Sequence, residues 1–320
     1  MHAARPKITV CIPTYNYAAY LPEAIDSVLG QSLVDFEILI IDDCSRDGTR
    51  EVLGGYARKD PRIDFRVNPR NLGMVDNWNL CLREARGEYV KFVFGDDFLS
   101  SPDALRRMSG ILDAEPSVSL VASARNIVDA ETHILDVWSD FPDGYRGEGT
   151  GVINRCLRTQ RNLIGEPTAV MFRKSQSERG FDRRYRQIVD LEMWFHLLEQ
   201  GRFAFLGEPL CGFRLHPEQQ TRVNASRRAM FADEVFLFED YTGNPAKGYI
   251  DFSPFERSYL RYELRYRYWK EARRGGIDRR TALREIGAHG SLPGFFLRLP
   301  LHKLHKEYRR FLRRRAERRS

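Results

Sequence analysis

The chain has 320 residues, 42% hydrophobic and 30% charged, the ordinary balance of a soluble globular protein with a substantial core. No run of about 18 apolar residues occurs, which argues against a membrane-spanning helix, and the opening MHAARPKITV lacks the apolar stretch of a secretory leader. The net charge of +7 is uneven: residues 241–320 hold 21 Lys+Arg against 8 Asp+Glu, leaving about −6 on the rest, so an acidic body carries a basic tail. The five cysteines are an odd count without C-x-x-C spacing, which favours reduced thiols over a disulfide framework or a zinc site.

ITVCI (Ile8–Ile12) is a β-branched run that ends at Pro13, and a helix follows from about Leu21 to Leu29 with Pro22 in its first turn. FEILIID (Phe36–Asp42) is apolar almost throughout, as a buried parallel strand is. Ser45–Thr49 turns into a helix through about Arg58. Ile63–Val67 is a shorter strand, Val75–Ala85 a helix, and Glu88–Phe94 a strand stopping at Gly95-Asp96-Asp97. A helix starts near Pro102, and Val118–Ser123 is a further strand. Between Trp138 and Gly165 only a helix near Val152–Arg158 is legible. Pro167–Lys174 reads as a strand, Asp190–Gly201 as an apolar-faced helix, and Arg202–His216 as paired strands broken near Gly207–Pro209. After about Asn224 the pattern is helical: Ser253-Pro254 opens a helix that stops at Gly275-Gly276, and a last helix starts near Pro300.

Strand, crossover helix and strand at these lengths predict an open α/β sheet. Ligands bind such sheets outside the carboxyl ends of the strands, where Pro13–Asn16, Asp42-Asp43 and Asp96-Asp97 fall. Asp96 and Asp97 offer carboxylates for Mg²⁺ or Mn²⁺ and for a hydroxyl, or else they form a capping turn. Asp43 can accept hydrogen bonds from a base or ribose, although D-C-S-R-D-G-T is also rich in helix-capping residues. Tyr15 can pack on a flat base. Asp190 opens a helix whose dipole alone would favour a carboxylate, and it could equally be a general base. His216 is a metal or phosphate ligand or an ordinary loop histidine.

Four stretches together resemble the family 2 inverting glycosyltransferases of the GT-A fold: ITVCIPTYN, QSLVDFEILIIDDCSRDGT, NLGMVDNWNLCLREARGEYVKFVFGDD and DLEMWFHLLEQGRFAFLGEPLCGFRLH. They cover roughly residues 7–220. The resemblance implies an open mixed, mostly parallel sheet with helices on both faces, a nucleotide-binding part to about residue 125 and an acceptor part to about 225. It also implies site roles. Pro13 and Tyr15 would lie against the base, and Asp43 would accept from it. Asn71, Gly73 and Asn79 would shape the donor pocket. Asp97 would hold Mn²⁺ or Mg²⁺ with help from Asp96 and His216, and Asp190 would be the catalytic base. Phe94, Val189 and Trp78 depart from the family pattern of Asp, Glu and Arg at those positions. The implied reaction is single displacement from a nucleotide-sugar, UDP-sugar foremost, to a glycan or lipid-linked glycan in cell-surface polysaccharide synthesis.

Residues 226–320 are predicted to form a helical basic extension. In its last helix Leu301, Leu304, Tyr308, Phe311 and Leu312 make an apolar stripe among arginines, suited to an anionic membrane surface or to packing on the catalytic domain. These features predict a cytoplasmic enzyme, peripheral at the inner membrane face. The competing readings are a nucleotide-sugar-binding scaffold without catalysis, and a nucleic-acid protein, for which no recognised fold is legible. A nicotinamide-dependent oxidoreductase is disfavoured because no G-x-G-x-x-G follows the first strand.

Overall fold

A computed structural model of the chain describes residues 5–216, 227–274, 278–299 and 307. Strands β1 (Ile8–Thr14), β2 (Phe36–Asp42), β3 (Ile63–Val67) and β4 (Tyr89–Phe92) alternate with helices α1 (Leu21–Leu29), α2 (Thr49–Ala57) and α3 (Met74–Glu84). Then come β5 (Phe98–Leu99), α4 (Ala104–Ala114), β6 (Val118–Val128), β7 (Ile134–Trp138), β8 (Arg146–Glu148) and α5 (Gly149–Thr159). β9 (Val170–Arg173), α6 (Val189–Leu198) and β10 (Arg202–Arg214) complete the sheet region. The strands form one mixed sheet in the order β3-β2-β1-β4-β9-β6-β10-β5, with β7 on β6 and β8 on β10. The long pairings, β1 with β2 and β6 with β10, are parallel, whereas β9 runs antiparallel between β4 and β6. This is the mixed, mostly parallel α/β architecture the sequence predicts.

Every residue of β1, β2 and β4 is buried, which requires cover on both faces and explains why they are mostly apolar, with Thr9, Glu37 and Lys91 as the buried exceptions before the strand ends. Ile8, Val10 and Ile12 share one core with Leu21, Ala24, Ile25 and Val28, the inward stripe of α1. Cys11, one step out of phase, turns to the opposite face, where its thiol meets the Cys81 carbonyl of α3. Gly87 lies so close to β1 that a Cβ there would run into the backbone of Ile8 and Thr9, and its N–H donates to Thr9 Oγ1 at 2.7 Å. Gly87→Ala is therefore expected to cost about 1–3 kcal/mol, read as a lower urea midpoint at unchanged far-UV dichroism.

Three segments differ from the sequence expectation. β1 does not stop at Pro13 but continues to Thr14. Its last bond to the β4 side is Val93 N–H to Cys11 O, so the proline's missing N–H falls where that partner has already diverged. Arg202–Arg214 is one strand rather than a pair. A bulge around Gly207–Pro209 absorbs the proline, and Asp143 accepts from Gly207 N–H, so the strand follows β6 to the end. β6 runs on to Val128 and turns back as β7, through a corner in which Asp129 accepts from the N–H groups of Glu131 and His133. Polar Arg125 and Asn126 in its second half hide that continuation from a pattern reading.

The described residues fall into two compact units. The first holds the chain to Gly149, Asn162–Arg184, and the chain from Val189 to the end of β10. The second holds Thr150–Arg161 and Tyr185–Ile188 with α7 (Arg227–Gly243), α8 (Pro254–Arg273), α9 (Arg279–Ala288) and α10 (Leu292–Arg298). Side-chain bonds bring the two inserted segments into it. Asn154 donates to Tyr249 O at 3.0 Å, Arg158 pairs with Asp251 at 2.6 Å, and Asp233 accepts from the N–H groups of Arg186 and Gln187. Ser253 and Glu256 form a reciprocal capping box on α8. No helix among the described residues is long and apolar enough to cross a membrane. The basic stripe from Leu301 to Leu312 lies outside the described residues.

Candidate active site

The carboxyl ends of β1, β2, β4, β6 and β10 share one edge of the sheet with the start of antiparallel β9. The order reverses between β1 and β4, the crevice where open α/β sheets take their ligands. Asp43, Asp96, Asp97, Thr168 and His216 all follow or precede strands at this edge.

At the β2 end, the two acids divide their work. Asp42 accepts from the N–H and hydroxyl of Ser45, and burial pushes its carboxyl up. Asp43, also buried, accepts from Asn68 Nδ2 and Leu72 N–H at 2.8 Å and from Gly73 N–H at 2.9 Å. Asn71 Nδ2 closes the loop onto the Asp43 carbonyl, and Gly73 takes the left-handed φ of 88° that this turn demands. Asp43 thus organises the 71–73 loop, and its Oδ2, which accepts one bond, can accept a further one. Pro13 is buried and Tyr15 half-buried beside this loop's strand, while Asn16, with φ 57°, exchanges bonds with Ser45 and Arg46. Asn79 does something different. Its amide pairs with both backbone groups of Phe181, tying α3 to a distant turn.

The acidic turn after β4 separates its two carboxylates. Both oxygens of Asp97 face protein: Oδ2 accepts from Thr168 Oγ1 at 2.6 Å, and Oδ1 from Arg214 N–H at 3.0 Å. Burial, reinforced by the charge of Asp96, holds its carboxyl well above the ordinary range. Asp96 Oδ2 instead meets His216 Nε2 at 3.1 Å. His216 is buried, edge-on to Tyr17 and tilted on Tyr20, and its Nδ1 has no partner among the described residues. Two cis ligands of one octahedral ion at roughly 2.1 Å stand roughly 3.0 Å apart, so the Asp96–His216 pair fits a hard divalent cation, and Asp97 fits it less well.

Residues to which the sequence alone assigns no role hold this turn. Arg214 is fully buried: Nε donates to the Asp96 carbonyl at 2.9 Å, and its other nitrogens reach Asp129 O, Ala130 O, Thr132 Oγ1 and Glu23. Lys91 lies beneath, buried in β4, donating to the Thr168 carbonyl, and burial lowers its ammonium to about 8. Lys91 has no distinguishing pattern in the sequence, and Arg214, although it stands in the late stretch of resemblance, carries no local mark of these distant partners. Trp78 and Phe94, at the positions that depart from the family pattern, lie against each other with centroids 4.8 Å apart. Asp129, Glu131 and His133 cluster at the β6–β7 corner, where Asp129 spends its oxygens closing the turn.

Asp190 stands in the first turn of α6, and its Oδ2 accepts a long 3.4 Å bond from Asn162. Asn162 and Trp194 Nε1 both also donate to Gly165 O, which fixes the segment in front of Asp190. The helix terminus favours the carboxylate, but burial dominates and, helped by Glu166, pushes the group up to about 7. A carboxylate poised near neutrality is suited to taking a proton.

Several known proteins are similar. The chain is 33% identical over 239 residues to the uncharacterized protein MT1568 of Mycobacterium tuberculosis (strain CDC 1551 / Oshkosh), covering 71% of this chain and 73% of that one. It is 28% identical over 212 residues to TuaG of Bacillus subtilis (strain 168), named for a glycosyltransferase role in teichuronic acid biosynthesis, covering 66% and 80%. Residues 1–349 of S. aureus TarS, solved with UDP, superpose with a TM-score of 0.64 at 19% identity over 97% of this chain and 88% of that one, which shows a shared fold. The family model described as Glycosyl transferase family 2 matches residues 9–181. That match spans more than half of the chain and takes in the strand ends bearing Asp43, Asp96 and Asp97, so the chain belongs to glycosyl transferase family 2.

Proposed function

We propose that this chain transfers a sugar, with inversion, from a nucleoside diphosphate sugar to a hydroxyl of a glycan or lipid-linked glycan in cell-surface polysaccharide synthesis, on the cytoplasmic side of the membrane. The observation that carries the reading is the pairing of Asp96 with His216 at the same sheet edge where Asp43 organises its loop. The TuaG name and the UDP held by TarS favour polysaccharide synthesis and a UDP-sugar.

In this reading Pro13 and Tyr15 lie against the base, with the loop of Asn71 and Gly73 held open by Asp43. Asp96 and His216 would hold Mn²⁺ or Mg²⁺. The sequence suggests Asp97 as the main ligand; because each of its oxygens already accepts a bond from the protein, our reading gives the larger share to Asp96 and treats Asp97 chiefly as the anchor of the turn. The bound cation supplies positive charge against the departing diphosphate. Asp190 takes the proton of the acceptor hydroxyl as that oxygen attacks the anomeric carbon, and no covalent enzyme intermediate forms. Asn162 orients the base.

A thermal-shift series with UDP, GDP and dTDP, each with and without Mn²⁺, tests this. UDP with Mn²⁺ at about 100 times Kd is expected to stabilise the protein by about 2.7 kcal/mol. Asp96→Ala is expected to remove the Mn²⁺-dependent part, while Asp97→Ala lowers the midpoint of the free protein. A wild-type protein indifferent to every nucleotide would sink the proposal. A normal Mn²⁺ response in Asp96→Ala would remove only the metal assignment. A scaffold without catalysis would bind UDP yet transfer nothing, and the poised Asp190 carboxyl speaks against that alternative.

A further inference from the structure

β7 is exposed along its whole length at the margin of the sheet, although four of its five residues are large and apolar. Ile134, Leu135, Val137 and Trp138 are 63, 58, 47 and 38% exposed, a concentration of apolar surface that solvated strands do not keep without use. Trp138 is held in place. Its Nε1 donates to Asp136 at 3.1 Å, and its ring lies over the guanidinium of Arg125, directly opposite in register, at 5.3 Å. Phe213, one residue before Arg214, flanks it at 6.4 Å.

The residues behind the indole lead to the base. Arg125 is buried and ion-paired with Glu166, with Asp140 at 3.9 Å. The charges of Arg125 and Glu166 both act on Asp190. Gly165, beside Arg125, is the residue to which Asn162 is bonded in front of Asp190. Indole, guanidinium, carboxylate and base therefore follow one another along this side of the sheet. A flat, rigid aromatic face next to carboxylates matches one ligand class closely: a pyranose ring sets its axial C–H bonds on the indole and its hydroxyls toward acid oxygens.

We propose that Trp138, on the β6–β7 hairpin, is the platform on which the acceptor's sugar ring stacks, with Asp136, which accepts from the indole N–H, at its polar edge. This rests on the reading of Asp190 as the base for an acceptor hydroxyl. It assigns the exposed hairpin to substrate selection, with a carbohydrate and not a lipid surface as its occupant.

Saturation-transfer NMR on the full chain tests it, using UDP with Mn²⁺ and the methyl β-glycosides of glucose, galactose and N-acetylglucosamine as probes. At least one glycoside is expected to receive saturation at its ring protons. Trp138→Ala is expected to weaken that signal on the order of tenfold, and Trp138→Phe to retain most of it. The UDP signal is expected to stay unchanged in both variants, since neither touches the strand ends that bear Asp43 and Asp96. The platform is overturned if UDP binds but no glycoside does, or if Trp138→Ala keeps the wild-type glycoside signal. Sedimentation with phosphatidylglycerol vesicles, lost in Trp138→Ala while glycosides remain silent, would overturn it in favour of a membrane contact. Loss of the UDP signal in the wild-type protein would instead remove the donor reading itself.

Discussion

Asp190→Asn is expected to bind UDP as the wild type does and to lose about 10³-fold in sugar transfer, within the 10²–10⁴-fold that a positioned base contributes. Asparagine keeps the size of the side chain and its contact with Asn162 but cannot take the acceptor's proton. Calorimetric titration of UDP beside a UDP-release assay separates the two effects, and normal turnover would show that the base lies elsewhere. The pH dependence gives a second reading of the same group. Burial favours its neutral form, so the working carboxylate is lost as pH falls through about 7, and wild-type transfer should drop about tenfold per pH unit below that point. The stability effect has the opposite sense. The folded state binds a proton that the unfolded chain has released above its ordinary value of 3.8, so stability declines as pH rises from there to about 7. Asp190→Asn escapes that decline, and its melting temperature should gain on the wild type across this window and then hold a constant lead.

Arg214→Met is expected to destabilise the protein by about 3–5 kcal/mol, the range for removing one partner of a buried charged network. Methionine fills much of the space but leaves the carbonyls of Asp96, Asp129 and Ala130 without their donor. Arg214→Lys restores charge but cannot reach five acceptors at once, so it should recover only part of the loss. The cost should also appear at the acidic turn. With its carbonyl released, Asp96 no longer presents its carboxylate at a fixed distance from His216, and Mn²⁺ affinity followed by electron paramagnetic resonance should fall in both variants. A protein that melts earlier yet binds Mn²⁺ unchanged would confine Arg214 to a packing role.

Much of the site's location was legible from residues alone. The apolar runs of β1, β2 and β4 are buried on both faces, so their ends are marked by abrupt changes to polar residues, and Asp43 and Asp96 fall at those changes. Local capping chemistry marked α8 equally well through Ser253 and Glu256. Roles that depend on contacts across 70 residues or more left no local trace. Which of Asp96 and Asp97 has both oxygens bonded within the fold is decided by Thr168 and the Arg214 backbone, 71 and 117 residues beyond Asp97. The path of β10 is decided by β6, which holds one strand through a bulge where the local pattern suggested a hairpin. The assignment of Asn79 to the Phe181 turn and the exposure of β7 are likewise tertiary facts. By itself the sequence determined the α/β class and the sheet edge at which Asp43, Asp96 and Asp97 gather, because burial periodicity and turn chemistry act over a few residues. Only the tertiary structure decided that Asp97 has both oxygens bonded to Thr168 and Arg214 while Asp96 meets His216, because a carboxylate's direction and proton affinity depend on what long-range folding packs against it.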